Sequence, residues 1–187
     1  MKKNTPLFGF LVAFGAVLFA FAVYFLFLKK PNYYLVDNPT ADTYYFQVNN
    51  GPEKIITSGQ FIKVDLKQGT NTIKVADAGH RLLFDSAFTV TQPRGLVNIT
   101  HHDYYIHNQY YGRQLNKDSL LLAHHAVIDG EVFPGDIRHS NKLFEENFYY
   151  NLDENYDRVI KNIQKVESRT KIYRKQDFLN FYKENYR

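Results

Sequence analysis

Leu7 to Leu28 reads LFGFLVAFGAVLFAFAVYFLFL, twenty-two consecutive residues without a charge. A helix needs about 20 apolar residues to cross a ~30 Å hydrocarbon core, so this run is long enough to span a bilayer. Lys2 and Lys3 precede it, and Lys29, Lys30 and Pro31 follow it. Lysines at both edges reach the headgroups while their stems stay in apolar surroundings, and Pro31 stops the helix just past its end. The pattern predicts a tail over residues 1–6, a transmembrane helix over 7–28, and a membrane anchor for everything that follows.

A cleaved secretory signal is the alternative, because Ala20-Phe21-Ala22 has the small-x-small form that a signal peptidase prefers. Cutting there leaves Val23–Leu28 as an oily new terminus, and the apolar run exceeds the usual 7–15-residue signal core. The anchor is preferred. Positive charge is nearly balanced across the run, so the positive-inside bias favours a cytoplasmic N-terminus by a small margin. A short tail before an uncleaved signal-like helix leaves residues 31–187 outside the cytoplasm, in the periplasm if the source is bacterial. Gly9, Ala13, Ala16 and Ala20 recur at spacings of four, three and four, which lines small side chains along one seam of the helix. Small residues let helix backbones approach in lipid, so the seam is a candidate helix–helix interface with other membrane subunits or with a second copy in a homo-oligomer.

The net charge of +4 comes wholly from the four lysines flanking the apolar run. Residues 31–187 are neutral, with 19 Lys+Arg against 19 Asp+Glu, which removes the electrostatic case for a nucleic-acid partner. The chain has no cysteine, so disulfides, thiol nucleophiles and cysteine-bound metal centres are excluded.

Past the anchor, short apolar runs alternate with turn residues. Tyr33–Val36, Thr43–Val48, Lys54–Thr57, Phe61–Leu66, Asn71–Val75, Arg81–Phe84, Ala87–Val90 and Leu96–Thr100 read as strands. Ile62, Val64 and Leu66 share one face against Lys63 and Asp65, and Ile73 and Val75 point in where Lys74 points out. This spacing predicts a small antiparallel β-sandwich over residues 32–100. The Gly69–Val75 turn and strand resembles the short β-modules of extracytoplasmic bacterial proteins, a likeness of topology that implies binding or spacing, since a fold alone names no reaction. Residues 101–140 form a Tyr- and His-rich mixed segment with a hairpin at Asp129-Gly130. Residues 141–187 read as a helical C-terminal region. Phe144, Phe148 and Leu152 recur at i, i+4 and i+8, Asn151–Glu154 matches a capping box, and Tyr156, Val159, Ile160, Ile163 and Val166 form a stripe predicting a helix over 153–167. A last helix is expected over about Asp177–Tyr186. The expected class is therefore one transmembrane helix followed by an α+β region.

Three sets of residues carry candidate chemistry. On one strand, His101, Asp103 and His107 would share a face, and imidazole with carboxylate suits zinc, copper or nickel, although no established ligand spacing is present. Surface or turn histidines are the cheaper explanation, and no cofactor is expected. Tyrosine dyads recur at 33–34, 44–45, 104–105, 110–111 and 149–150. In a strand one ring of each pair faces out, which makes Tyr44, Tyr104, Tyr105, Tyr110 and Tyr111 a candidate protein-binding or sugar-stacking surface. Finally, Arg158, Lys161, Lys165, Arg169, Lys171, Arg174 and Lys175 form a basic patch that reads first as a solvated helix face and second as a contact for anionic lipid headgroups. The motifs of serine hydrolases, dinucleotide-binding folds and phosphate-binding loops are missing. The sequence thus leads to a non-enzymatic, membrane-anchored interaction protein, an accessory or scaffolding subunit of a membrane complex. The alternative is a membrane-tethered module that binds a carbohydrate or a metal.

Overall fold

A helix that is apolar on every side, as one over the Leu7–Leu28 segment would be, has no single stripe to turn toward a core. In the computed structural model, which describes residues 5–28, 31–112, 116, 119, 124–158 and 165–186, this segment is helical. An α-helix, α1 (Thr5–Val23), runs into a π-helical turn over Tyr24–Leu28. The window Phe8–Leu26 has a mean hydropathy of 2.4, and none of it is buried within the protein. It is long and apolar enough to cross a membrane. Residues 1–32 form a unit of their own, and residues 33–187 form a second.

The second unit is built from thirteen strands and one helix among its described residues. They are β1 (Tyr33–Asp37), β2 (Tyr44–Val48), β3 (Lys54–Ile56), β4 (Phe61–Val64), β5 (Gly69–Asp77), β6 (Leu82–Val90), β7 (Arg94–Asn98), β8 (Tyr104–Tyr111), β9 (His125–Ile128), β10 (Glu131–Pro134), β11 (Asp136–Ser140), β12 (Phe144–Glu145), β13 (Glu167–Arg174) and α2 (Lys175–Tyr186). Three sheets have the orders β12-β7-β1-β4, β3-β2-β5-β6 and β11-β8-β13, and β9 with β10 makes a separate hairpin. The hairpin turns at Asp129 and Gly130, both with positive φ, the conformation that a two-residue turn between twisted strands requires.

Successive side chains of a strand point to opposite faces, so a sheet covered on both sides must be apolar at every position. The inner strands of the first sheet, β1 and β7, carry buried apolar residues on both faces. Tyr34 and Val36 of β1 and Val97 of β7 join Phe46, Ile56, Ile73, Val75 and Val90 of the second sheet in one core. Leu35 and Leu96 face the other way and pack with Tyr104, Ile106 and Ile172 of the third sheet. The far face of that third sheet carries Tyr105, Ile137 and Tyr173, which pack against Phe178 and Tyr182 of α2 and against Ile128 and Phe133 of the hairpin. Gly95 lets β12 lie close over β7, since a Cβ there would come within 2.4 Å of the Phe144 ring.

The alternation in β4 and β5 is as the sequence predicts: Ile73 and Val75 are buried and Lys74 is exposed. Sheet pairing is mostly antiparallel, with one departure. β1 and β7 run parallel in register from Tyr33–Arg94 to Asp37–Asn98; β4 has already paired antiparallel on the other side of β1, and β5 and β6 of the second sheet lie between β4 and β7 in the chain. Runs read as two strands at 81–84 and 87–90 are the single strand β6. The C-terminal region is less helical than its pattern. Phe144 pairs across from Val97 in β12, and Phe148 and Leu152 reach the core from irregular chain and a turn instead of a helix. Residues 153–158 are irregular, Glu167 opens β13, and 159–164 lie outside the described residues. Half of the capping box survives without its helix: the Asn151 N–H donates to the Glu154 carboxylate at 2.8 Å within a turn. The last helix is present, with Phe178 and Tyr182 buried.

One buried ion cluster ties the first sheet to the third. The Asp37 carboxylate has no solvent exposure. It accepts from the Tyr104 hydroxyl at 2.5 Å and from two Arg174 nitrogens at 2.5 and 3.0 Å, and Arg174 also donates to the Gly59 carbonyl at 2.8 Å. Burial, followed by the neighbouring carboxylate charge, raises the Tyr104 pKa, so its hydroxyl keeps its proton and stays a donor. Replacing Arg174 with Met leaves the Asp37 charge buried beside a single hydroxyl. The expected loss is about 3–5 kcal/mol of stability, read by urea unfolding in detergent solution; a loss below 1 kcal/mol would show the cluster to be dispensable.

Candidate functional site

The side chains with the most chemical potential converge on the outer face of β13. Alternation along that strand sends Ile172 and Arg174 toward the first sheet and leaves Lys171 and Tyr173 facing α2. On α2, Asp177, Asn180, Phe181 and Glu184 recur at three- and four-residue steps and so share one side of the helix. With Asn155 and Tyr156 from the segment after β12, these residues line an open cleft of about 300 Å³.

Lys171 forms its floor and is only 6% exposed. Its Nζ donates to the carbonyls of Glu154 and Leu152 and lies 5.1 Å over the Tyr173 ring. Burial lowers its pKa, and the carboxylates of Asp153, Glu154 and Asp177 act against that shift. The Tyr173 and Tyr156 hydroxyls are hydrogen-bonded to each other, and burial raises both pKa values above the ordinary phenol value. Arg169 covers the other side of the Tyr156 ring at 4.2 Å and donates to Gln109 at 2.7 Å.

Opposite Lys171 in register sits His107 on β8. Its ring lies among Phe181 at 5.4 Å, Tyr186 at 5.8 Å and Phe178 at 6.2 Å. Its nitrogens meet two phenols, Tyr156 at 3.3 Å and Tyr186 at 3.5 Å. Burial lowers its pKa to about 4, the Asp136 charge working against that and the Arg169 charge with it. The amine is thus held by two carbonyls and the imidazole by two phenols. These contacts fix Lys171 in the cleft floor and His107 beneath α2.

The residues weighed as weak metal candidates, His101, Asp103 and His107, take different partners. β8 begins at Tyr104, so His101 and Asp103 lie in the turn before the strand, with His101 at a φ of 52°. His101 is 3.4 Å from the Asn141 carbonyl, Asp103 pairs with His139 at 2.6 Å, and His107 is buried under α2. Among the described residues, no group of three His, Asp or Glu side chains is placed to hold a metal ion.

The tyrosines do not form one outer face either. Tyr104 and Tyr105 are both buried, because the third sheet is covered on both sides and leaves neither member of the dyad in solvent. Tyr44 packs against the first core. The Tyr110 hydroxyl donates to Asp136 at 2.7 Å and that of Tyr111 to Glu167 at 3.1 Å. Among the described residues of the second unit, the exposed large apolar side chains are mainly aliphatic. They include Val127 and Val132, which face each other across the hairpin at 61% and 53% exposure, and Leu82 and Leu83 on β6. The period-two pattern of Ala126–Ile128 and Glu131–Phe133 carries the signal for the hairpin pair, since it sends one valine of each strand outward. Gly9, Ala13, Ala16 and Ala20 lie exposed on α1, and a Cβ at Gly9 would meet nothing within 4 Å.

No family model matches this sequence, and no curated protein or solved structure matches it. What the site does rests on its geometry.

The His107 environment sets a pH dependence. In the unfolded chain a histidine titrates near 6.5, so between about 4 and 6.5 the unfolded state binds the extra proton and stability falls as pH falls. The full shift is worth about 3 kcal/mol. Urea unfolding of the intact chain at pH 7 and pH 4 should show His107→Phe losing about that much less than the parent over this range. Equal losses would remove His107 from the balance.

Proposed function

We propose that this chain is a single-pass, membrane-anchored, non-enzymatic interaction protein, an accessory or scaffolding subunit of a membrane complex with residues 31–187 outside the cytoplasm. One observation carries the reading: the window Phe8–Leu26 has a mean hydropathy of 2.4 and no buried residue. Nineteen such residues left in water would cost far more than a domain's net stability, and a bilayer removes that cost. The first and second sheets, sharing one core, make a small β-sandwich that serves as a rigid body for display. The exposed aliphatic pairs offer contact area beside the part-buried Tyr44, Tyr110 and Tyr111. The Gly9-Ala13-Ala16-Ala20 seam supplies a second contact inside the membrane, where close packing of small residues drives helix association.

A second reading is favoured by the cleft on β13. Three aromatic rings, Tyr156, Tyr173 and Phe181, with the side chains of Asn155, Asp177, Asn180 and Glu184, suit a sugar ring better than a metal ion. In that case the anchor is only a tether.

Extraction in mild detergent followed by mass measurement separates the two. An assembly of defined larger mass is expected, and changing Gly9, Ala13, Ala16 and Ala20 together to Leu should lower that mass. An unchanged assembly would remove the seam from the proposal. A mature N-terminus at Val23 in the same sample would identify the helix as a cleaved signal and remove the anchor.

A further inference from the structure

The second sheet ends in β6, whose outer side has no hydrogen-bonded neighbour among the described residues. An open edge invites pairing with another chain, and proteins ordinarily blunt it with proline, lysine, a bulge or a very short strand. β6 has nine residues, LLFDSAFTV, with neither proline nor lysine. Its register shift lies near the Leu82 end, beside Val75 and Ala76, and leaves residues 84–90 regular. Its one charge, Asp85, is matched by Lys74 of β5 at 3.6 Å. Leu82 and Leu83 are 60% and 44% exposed. Phe84 and Phe88 are half-buried and pack on the first core, Phe88 against Phe144 at 4.8 Å.

We propose that β6 is the pairing edge for a second copy of this chain, joined antiparallel about a two-fold axis through Ser86. The strand is complementary to itself in that register. Leu82 falls opposite Val90, Leu83 opposite Thr89, Phe84 opposite Phe88 and Asp85 opposite Ala87. Each phenylalanine of the inner face gains a cross-strand aromatic neighbour, a favoured pairing on a sheet. No charge faces a like charge directly, and the two Asp85 carboxylates, diagonal to each other, each keep their own Lys74. Moving the axis to Asp85 would oppose the two carboxylates, and moving it to Ala87 would separate the phenylalanines. The product is a closed, isologous dimer with an eight-stranded sheet, which satisfies the free backbone groups of both edges at once. It does not depend on the anchor reading, since the pairing edge lies wholly within residues 82–90.

The absence of cysteine makes the test direct. In the full chain in mild detergent, Asp85→Cys with Ala87→Cys places thiols across the axis at exposed positions. Opposed residues in an antiparallel pair have Cα atoms about 4.5 or 5.5 Å apart, within disulfide range. Mild oxidation should convert most of this variant to a covalent dimer. Leu83→Cys should stay at background, because its symmetry mate is six residues along the strand, about 20 Å away. A monomeric double variant, or equal linking by Leu83→Cys, overturns the proposal. So does loss of the cross-link when Gly9, Ala13, Ala16 and Ala20 are changed to Leu, which would assign association to the helix. Retention of the cross-link in that background, whatever happens to the larger assembly, supports β6 pairing independently of the anchor.

Discussion

The Asp37 carboxylate is the point on which the folded unit depends. A buried charge is tolerated only with close and complete partners, and here they come from Tyr104 and Arg174, far along the chain. Because Asp37 ends β1 while Tyr104 and Arg174 belong to β8 and β13, satisfying one carboxylate fixes the third sheet against the first. Gly59, whose carbonyl accepts from the same guanidinium, adds the turn between β3 and β4 to the clamp. The cleft on β13 is a consequence: with Ile172 and Arg174 committed inward, Lys171 and Tyr173 must face α2.

Much of the first two sheets was legible because half-buried strands write their environment in alternation. β5 is the clearest case, with Ile73 and Val75 on one side and Lys74 on the other. β1 and β7 were legible as strands but not as partners. Doubly covered strands lose their alternation, and nothing local in Tyr33–Asp37 records that its neighbour begins at Arg94. The C-terminal region misled for a different reason. Phe144, Phe148 and Leu152 are core residues, as their apolarity suggests, but their helical spacing is outweighed by pairing with β7 and by packing against the third sheet. Asn151 and Glu154 carry capping chemistry that serves a turn, and Glu154 also pairs with Arg94.

The site was less legible still. His107 and Lys171 are polar and look like surface residues, yet both are buried, and their opposition in register exists only after β8 and β13 pair. Tyrosine dyads promise one outward ring only where a sheet has one free face. The third sheet has none, so Tyr104 reaches inward to Asp37 while Tyr105 meets Phe178. What did remain readable were local features: the hairpin turn at Asp129-Gly130 and the uninterrupted apolar run of α1.

The parallel pairing of β1 with β7 also bears on how the chain matures. β1 is the first element of its unit to be made, and its apolar residues wait for β7 on one side and for the third sheet on another. Its terminal carboxylate waits for an arginine 137 residues later. Contacts this distant in sequence have high contact order and must close large loops before they return any free energy, which slows folding and prolongs exposure of the strand. Made first, β1 is completed last, so a nascent or C-terminally truncated chain carries an apolar segment with an unmatched charge at its end, the kind of segment that chaperones hold and proteases clear.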